Sequence, residues 1–262
     1  MGWLVVAYLG SLAVLFVAAF WRLDDFSGQI VHSWGTSNFE TLINGEVYRT
    51  IVLRTVGIAA AVTVTDALLA FPIAFYMAKV ARPRVRNLLL VAVLLPLWSS
   101  YLVKVYAWRT ILSEEGILNW FLDPLGLSGP GFGLVATWLV FSYLWLPFMI
   151  LPVYAGFERI PNSLLDASGD LGASAGRTFR SVILPMVFPS VVAGSIFTFS
   201  LTLGDYITPS LVSSSQFIGN VVYANVGVAN NLPLAAAFAT VPVVVMVLYL
   251  LGARRLGAFE SL

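Results

Sequence analysis

Residues 131–157 read GFGLVATWLVFSYLWLPFMILPVYAGF, and residues 158–184, directly after them, read ERIPNSLLDASGDLGASAGRTFRSVIL. The first stretch runs 27 residues without a charged side chain, longer than the roughly 20 helical residues that cross a hydrocarbon core of about 30 Å. The second is polar, yet its apolar positions keep helical order. An uncharged run of this length, followed by an ordered polar interruption, predicts a chain built on membrane-spanning helices with one structured segment outside the bilayer.

The rest of the chain agrees. Only 10% of the 262 residues are charged and 59% are hydrophobic, against roughly 25% charged in soluble domains, and the mean hydropathy is +0.90. Comparable apolar runs occupy about 3–21, 51–78, 87–108, 185–207 and 232–252, which with 131–157 predicts an all-α polytopic membrane protein of about six transmembrane helices in one domain, 1–262. The first run lacks a basic leader and an evident small-residue cleavage site, so it reads as retained. Trp3, Trp21, Trp108 and Trp138 fall at or near span ends, where amphipathic rings favour the interface.

Basic residues of short loops are held on the cytoplasmic side. Lys79, Arg82, Arg84 and Arg86 follow the second span, Arg159, Arg177 and Arg180 the fourth, and Arg254 and Arg255 the sixth. The opposite loops hold Arg22, Arg49 and Arg109 among Asp24, Asp25, Glu40, Glu46, Glu114, Glu115 and Asp123. Both termini are therefore expected in the cytoplasm.

Several chemistries are excluded. The chain has no cysteine and a single histidine, His32, which removes disulfides, thiol catalysis and zinc sites built on several such ligands. A P-loop needs a Gly-Lys pair to cradle phosphates, whereas Lys79 and Lys104 follow Ala78 and Val103. Hydrolysis by paired carboxylates would require Asp66 and Asp205 to meet, and their depths differ by about 12 Å at 1.5 Å of rise per residue. Nothing points to nucleic acid or to a cofactor bound by this chain.

Within 158–184 the pattern is that of two short helices joined by a glycine turn. Pro161 suits a first helical position. Leu164, Ala167 or Ser168, and Leu171 share one face, while Asp166 and Asp170 lie a turn apart on another. Gly172 can end the helix in the left-handed conformation; a second short segment, Ala173 to Phe179, precedes Leu184-Pro185. Such an apolar stripe either seats in a partner's groove or lies flat on the bilayer.

Residue order favours the groove. Asp166-Ala167-Ser168, Asp170-Leu171-Gly172-Ala173, Thr178-Phe179, Val182 and Leu184-Pro185 closely resemble the EAA loop of ABC importer permeases. There a Glu-Ala-Ala triplet, a Gly six residues after the Glu, and a later Phe and Pro form the coupling helix seated in a cleft of the ATPase. The match departs at the triplet, where Asp166 replaces Glu and Ser168 replaces the second Ala. The resemblance implies ATPase coupling through Asp166, Ala167, Ser168, Asp170, Gly172, Phe179 and Pro185, with Gly172 as hinge and Phe179 as anchor.

Residues 95–108, LPLWSSYLVKVYAW, together with Gly116-Ile117-Leu118-Asn119, Gly204-Asp205-Tyr206-Ile207-Thr208-Pro209 and Ile218-Gly219-Asn220, are similar to the spermidine/putrescine (polyamine) permeases. That resemblance implies an inner-membrane permease working with a cytoplasmic ATPase dimer that binds ATP-Mg, a second homologous permease and an extracytoplasmic binding protein that docks on residues 22–50 and 208–231. Related groups carry phosphonates, ferric iron, sulfate or thiamine. A self-sufficient channel or secondary transporter is the rival class, and it leaves residues 158–184 unexplained.

Charges at membrane depth usually face a cavity or a partner. Counted from the cytoplasmic ends of their spans, Lys104 and Asp205 rise roughly 26 and 30 Å and Asp66 about 18 Å. Asp66 and Asp205, with Trp98, Tyr101 and Tyr206, are candidates for a path attractive to a cationic solute. Lys104 either lines the same mouth, pairs with Asp205 or snorkels to the interface. Pro72, Pro96, Pro147, Pro152, Pro189 and Pro242 fall inside spans, where each can kink a helix.

Overall fold

The computed structural model describes residues 2–24 and 26–255; Met1, Asp25, one of the acidic residues expected on the outer side, and residues 256–262 lie outside them. The order is α1 Gly2–Ala18, a two-stranded antiparallel ribbon of β1 Arg22–Leu23 and β2 Ile30–Val31, α2 Ser37–Asn44, α3 Glu46–Phe75, α4 Pro83–Trp98, α5 Tyr101–Leu112, α6 Ile117–Leu122, α7 Leu134–Glu158, α8 Asn162–Asp170, α9 Ala175–Thr178, α10 Leu184–Gly204, α11 Ile207–Val212, α12 Ile218–Gly227 and α13 Leu232–Arg255. Among the described residues, four helical rods are long and apolar enough to span a membrane: Glu46–Val80, Leu134–Glu158, Ala175–Gly204 and Leu232–Arg255. A bent pair adds a fifth.

The expected sixth, 3–21, stops at Ala18. Its helix of 17 residues is about 26 Å long. The third span, expected straight over 87–108, is broken, with Pro83–Trp98 and Tyr101–Leu125 meeting at 96°. Pro96 and two extended residues, Ser99 (ψ 150°) and Ser100 (ψ 134°), make the break. The Pro96 carbonyl that the bend leaves open accepts from Ser99 N–H at 3.3 Å, Ser99 Oγ at 2.8 Å and Lys104 Nζ at 3.0 Å. Lys104 is thus spent inside its own bend, and the alternative of an ion pair with Asp205 is not realised among the described residues.

The fifth span also differs from its expected bounds. α9 continues through a π-helical turn, Phe179–Ile183, into α10, so the second short helix of the polar segment is the first turn of the 30-residue rod Ala175–Gly204. Pro185 therefore sits inside a continuing helix instead of starting one. A matching π turn, Tyr76–Val80, extends α3 at the same end of the bundle. Such turns carry an extra residue per hydrogen-bonded loop and are often found at functional sites.

α3, α7 and α10 pack together as the core. Between membrane helices the driving force is close van der Waals contact, which small residues permit. α7 and α10 meet at two such points: a Cβ on Gly156 would collide with Ser190, and one on Gly194 would stand 2.8 Å from Met149 Sδ and 3.2 Å from its Cα. Buried threonines return their hydroxyls to the preceding turn, Thr55 to Ile51 O at 2.8 Å, Thr63 to Ala59 O at 2.7 Å and Thr202 to Thr198 O at 2.8 Å, so these donors are not stranded in an apolar interior. At one end of this core, Phe157 of α7 stands edge-on to Phe71 and Phe75 of α3, with centroids 5.0 and 5.5 Å away.

Candidate functional site

Two regions at opposite ends of α10 gather the residues singled out by the sequence. The first is the polar segment after α7. Pro161, extended at φ −65°, ψ 139°, caps α8 from just outside, one residue before the helical position expected for it. Gly172 has φ +73°, the left-handed geometry an L side chain resists. Ala173 N–H then reaches Ser168 O at 3.0 Å and Gly172 N–H reaches Gly169 O at 2.8 Å, which closes the helix.

Leu165 is the residue of α8 that packs on the core. Leu164 and Leu171, the predicted stripe, point away from it: Leu171 is 88% exposed and Leu164 42%. Asp166, Ala167 and Asp170 lie beside them on the outer part of the helix. Ser168, one of the two departures from the family triplet, has a local purpose, since its hydroxyl lies 2.8 Å from Thr178 Oγ1 and ties α8 to α9. Phe179 is 41% exposed, and the rest of its ring meets Phe71 of α3 edge-on at 5.5 Å.

The second region is an open notch of about 380 Å³ lined by Tyr101, Trp145, Ser200, Gly204, Asp205 and Tyr206 among others. It exists because α10 ends at Gly204 and the chain turns into α11. Asp205 builds the turn: Oδ1 accepts from the N–H groups of Ile207 at 2.8 Å and Thr208 at 3.1 Å. Its Oδ2 accepts from Tyr101 Oη in a short bond and from Thr208 Oγ1 at 3.3 Å. Tyr101 is stacked on Trp145 with centroids 6.0 Å apart, and Tyr206 on Tyr223 at 4.7 Å. An apolar cavity of about 360 Å³ adjoins the notch through Gly204 and Tyr206.

Of six path candidates, the structure brings together Tyr101, Asp205 and Tyr206. Asp66 is elsewhere, fully buried on α3, and neither carboxyl oxygen has a hydrogen-bond partner. Trp98 is 89% exposed at the end of α4, and Lys104 is held by Pro96. The sequence reading missed Trp145, Ser200 and Thr208. Trp145 stands within an aromatic-rich apolar run, where one ring looks like another until a fold pairs it. Among the described residues no three His, Cys, Asp or Glu side chains gather as a metal site.

A family model described as "Binding-protein-dependent transport system inner membrane component" matches residues 70–258. The chain is 46% identical to the inner membrane ABC transporter permease protein YdcU of Escherichia coli (strain K12), over 99% of this chain and 88% of that protein. It is 32% identical to the spermidine/putrescine transport system permease protein PotB of Haemophilus influenzae, over 76% and 71% of the two chains, and 30% identical to E. coli PotB, over 95% and 92%. Two solved structures share the fold: a bacterial alginate ABC transporter in complex with its pentasaccharide-bound periplasmic protein (TM-score 0.75, 17% identity, 97% and 90% covered) and the MetNI methionine ABC transporter (TM-score 0.57, 18% identity, 80% and 96% covered). Family match, relatives and apolar rods agree: the chain belongs to the binding-protein-dependent transport system inner membrane components, as a non-catalytic, multi-pass permease subunit of an ABC importer.

Proposed function

We propose that this permease forms one half of the translocation pathway of an ATP-driven importer of polyamines such as spermidine or putrescine. The observation that carries the substrate class is the notch: one carboxylate, Asp205, stands between the rings of Tyr101, Trp145 and Tyr206. Negative charge and π faces attract ammonium groups. The hydrogen bonds from Tyr101, Ile207 and Thr208 fix where that carboxyl group stands. Relatives named as spermidine/putrescine permeases, at 30 to 32% identity, support the same reading.

In this reading α8 and α9 face the cytoplasm, and so does the C-terminal end of α13 with Arg254 and Arg255, on the side that basic residues favour; the N-terminus shares that side if α1 crosses the bilayer. An ATPase dimer receives Leu164, Leu171, Asp166 and Asp170, which this chain leaves uncovered. A second permease completes the pathway, and an extracytoplasmic binding protein delivers solute near the notch, against 22–50 and 208–231. Closure of the ATPase dimer moves the segment, and α7 and α10 follow because they flank it. The test is uptake of labelled spermidine and putrescine by the reconstituted complex, with phosphonate, ferric iron, sulfate and thiamine as competitors. Polyamine uptake blocked only by polyamines supports the reading, and competition by any of the other four replaces the substrate.

A further inference from the structure

The segment that meets the ATPase is flanked by α7 and α10, yet its polar contacts run to a third helix. Lys79, in the π turn that ends α3, donates through Nζ to Ile160 O at 2.5 Å and to Asn162 Oδ1 at 3.3 Å. Two residues before Ile160, Glu158 accepts a short hydrogen bond from Tyr154 Oη and pairs with Arg86 of α4 at 3.5 Å. Ile160 itself is buried. The entry of the segment, 158–162, is therefore fastened to the α3–α4 corner through Lys79, Arg86 and Glu158. Its far end, Phe179, rests on Phe71 of α3.

α3 is the right element to receive motion from both ends of that segment. With its π turn it forms one rod from Glu46 to Val80, 35 residues, about 52 Å of helix. At its other end Arg54 donates to Gln216 O at 3.1 Å, and Thr55 Oγ1 accepts from Ile218 N–H at 3.1 Å. Gln216 lies between α11, which Asp205 caps, and α12, which begins at Ile218 and carries Tyr223 against Tyr206.

We propose that Lys79 and the Arg86–Glu158 pair are positioning residues that latch the entry of the coupling segment to α3, so that α3 carries the segment's displacement to the notch. The chemistry suits a latch that must give way. Arg86 and Glu158 are at least a third exposed, where ion pairs are weak. Lys79 holds a carbonyl and an amide, which another donor or water can replace. The proposal rests on the importer reading, because the load on the latch comes from the ATPase.

The test reconstitutes the full complex with Lys79→Met, Lys79→Arg, Arg86→Gln, Arg86→Glu, and the swap Arg86→Glu with Glu158→Arg. Two quantities are read: ATPase co-purified with the permease, and solute imported per ATP hydrolysed. The expected result is normal co-purification with a ratio lowered roughly threefold or more in Lys79→Met and in Arg86→Glu. Lys79→Arg is expected to keep the ratio, and the swap to recover most of what Arg86→Glu loses. A normal ratio in Lys79→Met and in Arg86→Gln, with the ATPase bound, overturns the latch and leaves the importer reading standing. Failure of the unaltered chain to retain any ATPase overturns both. Arg86→Gln lies at an exposed position, so it decides the matter if Lys79→Met does not accumulate.

Discussion

Phe179 and Phe71 meet edge-on with centroids 5.5 Å apart and planes at 69°, so the end of the polar segment leans on α3, against the same aromatic cluster that receives Phe157. Aromatic pairs of this geometry add about 0.5–1.5 kcal/mol beyond the area they bury. A double-mutant cycle on Phe71→Ala and Phe179→Ala, read by thermal unfolding in detergent, is expected to show a coupling energy in that range. Strict additivity would mean that the rings do not support one another.

Close helix approach at one glycine and open space at another give substitutions of opposite sign. Gly194→Val puts side-chain atoms against Met149, where Sδ and Cα already stand 2.8 and 3.2 Å from a Cβ, and overpacking of this kind costs about 1–3 kcal/mol. Gly57, on α3, has nothing within 4 Å of its would-be Cβ, so Gly57→Ala should raise stability by up to about 1 kcal/mol through helix propensity alone. Unfolding midpoints in one detergent decide both.

Asp205 combines a charge with a cap, and the two can be separated. Asn caps a turn about as well as Asp, so Asp205→Asn should keep the bonds to Ile207 and Thr208 N–H while removing the charge. Uptake of a cationic solute is expected to fall on the order of tenfold, equivalent to about 1.4 kcal/mol of lost attraction, with ATPase recruitment unchanged. Normal uptake in Asp205→Asn would remove this carboxylate from the path.

Asp66 should behave in the opposite way. It is fully buried with both oxygens unpartnered, and an unsatisfied buried polar group is a burden of about 1–3 kcal/mol. Asp66→Val is therefore expected to leave stability unchanged or raise it, and to leave solute uptake within about twofold of the unaltered chain, a change under about 0.5 kcal/mol. A large loss of uptake in a well-folded Asp66→Val would show that the carboxyl serves another conformation of the pathway.

Apolar run length was enough to read the rods of α3, α7, α10 and α13 from sequence, because a long run with at most stray charges, such as Arg54 and Asp66 of α3, has one solution in a bilayer. The break at Ser99-Ser100 was hidden for the same reason: hydropathy hardly changes across it, and only the Pro96 and Ser-Ser signals mark it. In the polar segment, spacing revealed the helix and its Gly172 stop. It could not tell which apolar residue faces the bundle, since Leu164 and Leu165 are adjacent and either could have turned inward. The roles of Lys79, Arg86 and Glu158 were legible only as charge bias, because what Lys79 holds is a backbone carbonyl 81 positions away, and a carbonyl has no sequence signature. Asp205, Tyr101 and Tyr206 were each visible as polar or aromatic residues near one mouth. Depth along the helix already set Asp66 apart, but their separation from Trp98 and Lys104 required the bend between α4 and α5.

Leu171 offers the most direct measurement of how this permease engages its motor. It is 88% exposed at the end of α8, so a charge there meets solvent and leaves the packing of this chain undisturbed. Membranes carrying the unaltered permease, Leu171→Asp or Gly172→Pro, together with the ATPase of the same transport system, are solubilised and the ATPase captured through the permease. Leu171→Asp is expected to accumulate normally, whereas Gly172→Pro breaks the helix stop locally, since proline can neither adopt the φ of +73° nor donate the bond to Gly169 O. Both are expected to lose about tenfold or more of the captured ATPase, as loss of a buried anchor does, with ATP-dependent uptake lost in parallel. Undiminished capture with intact uptake in both variants, or uptake that proceeds without ATP or the ATPase, would contradict coupling through this segment.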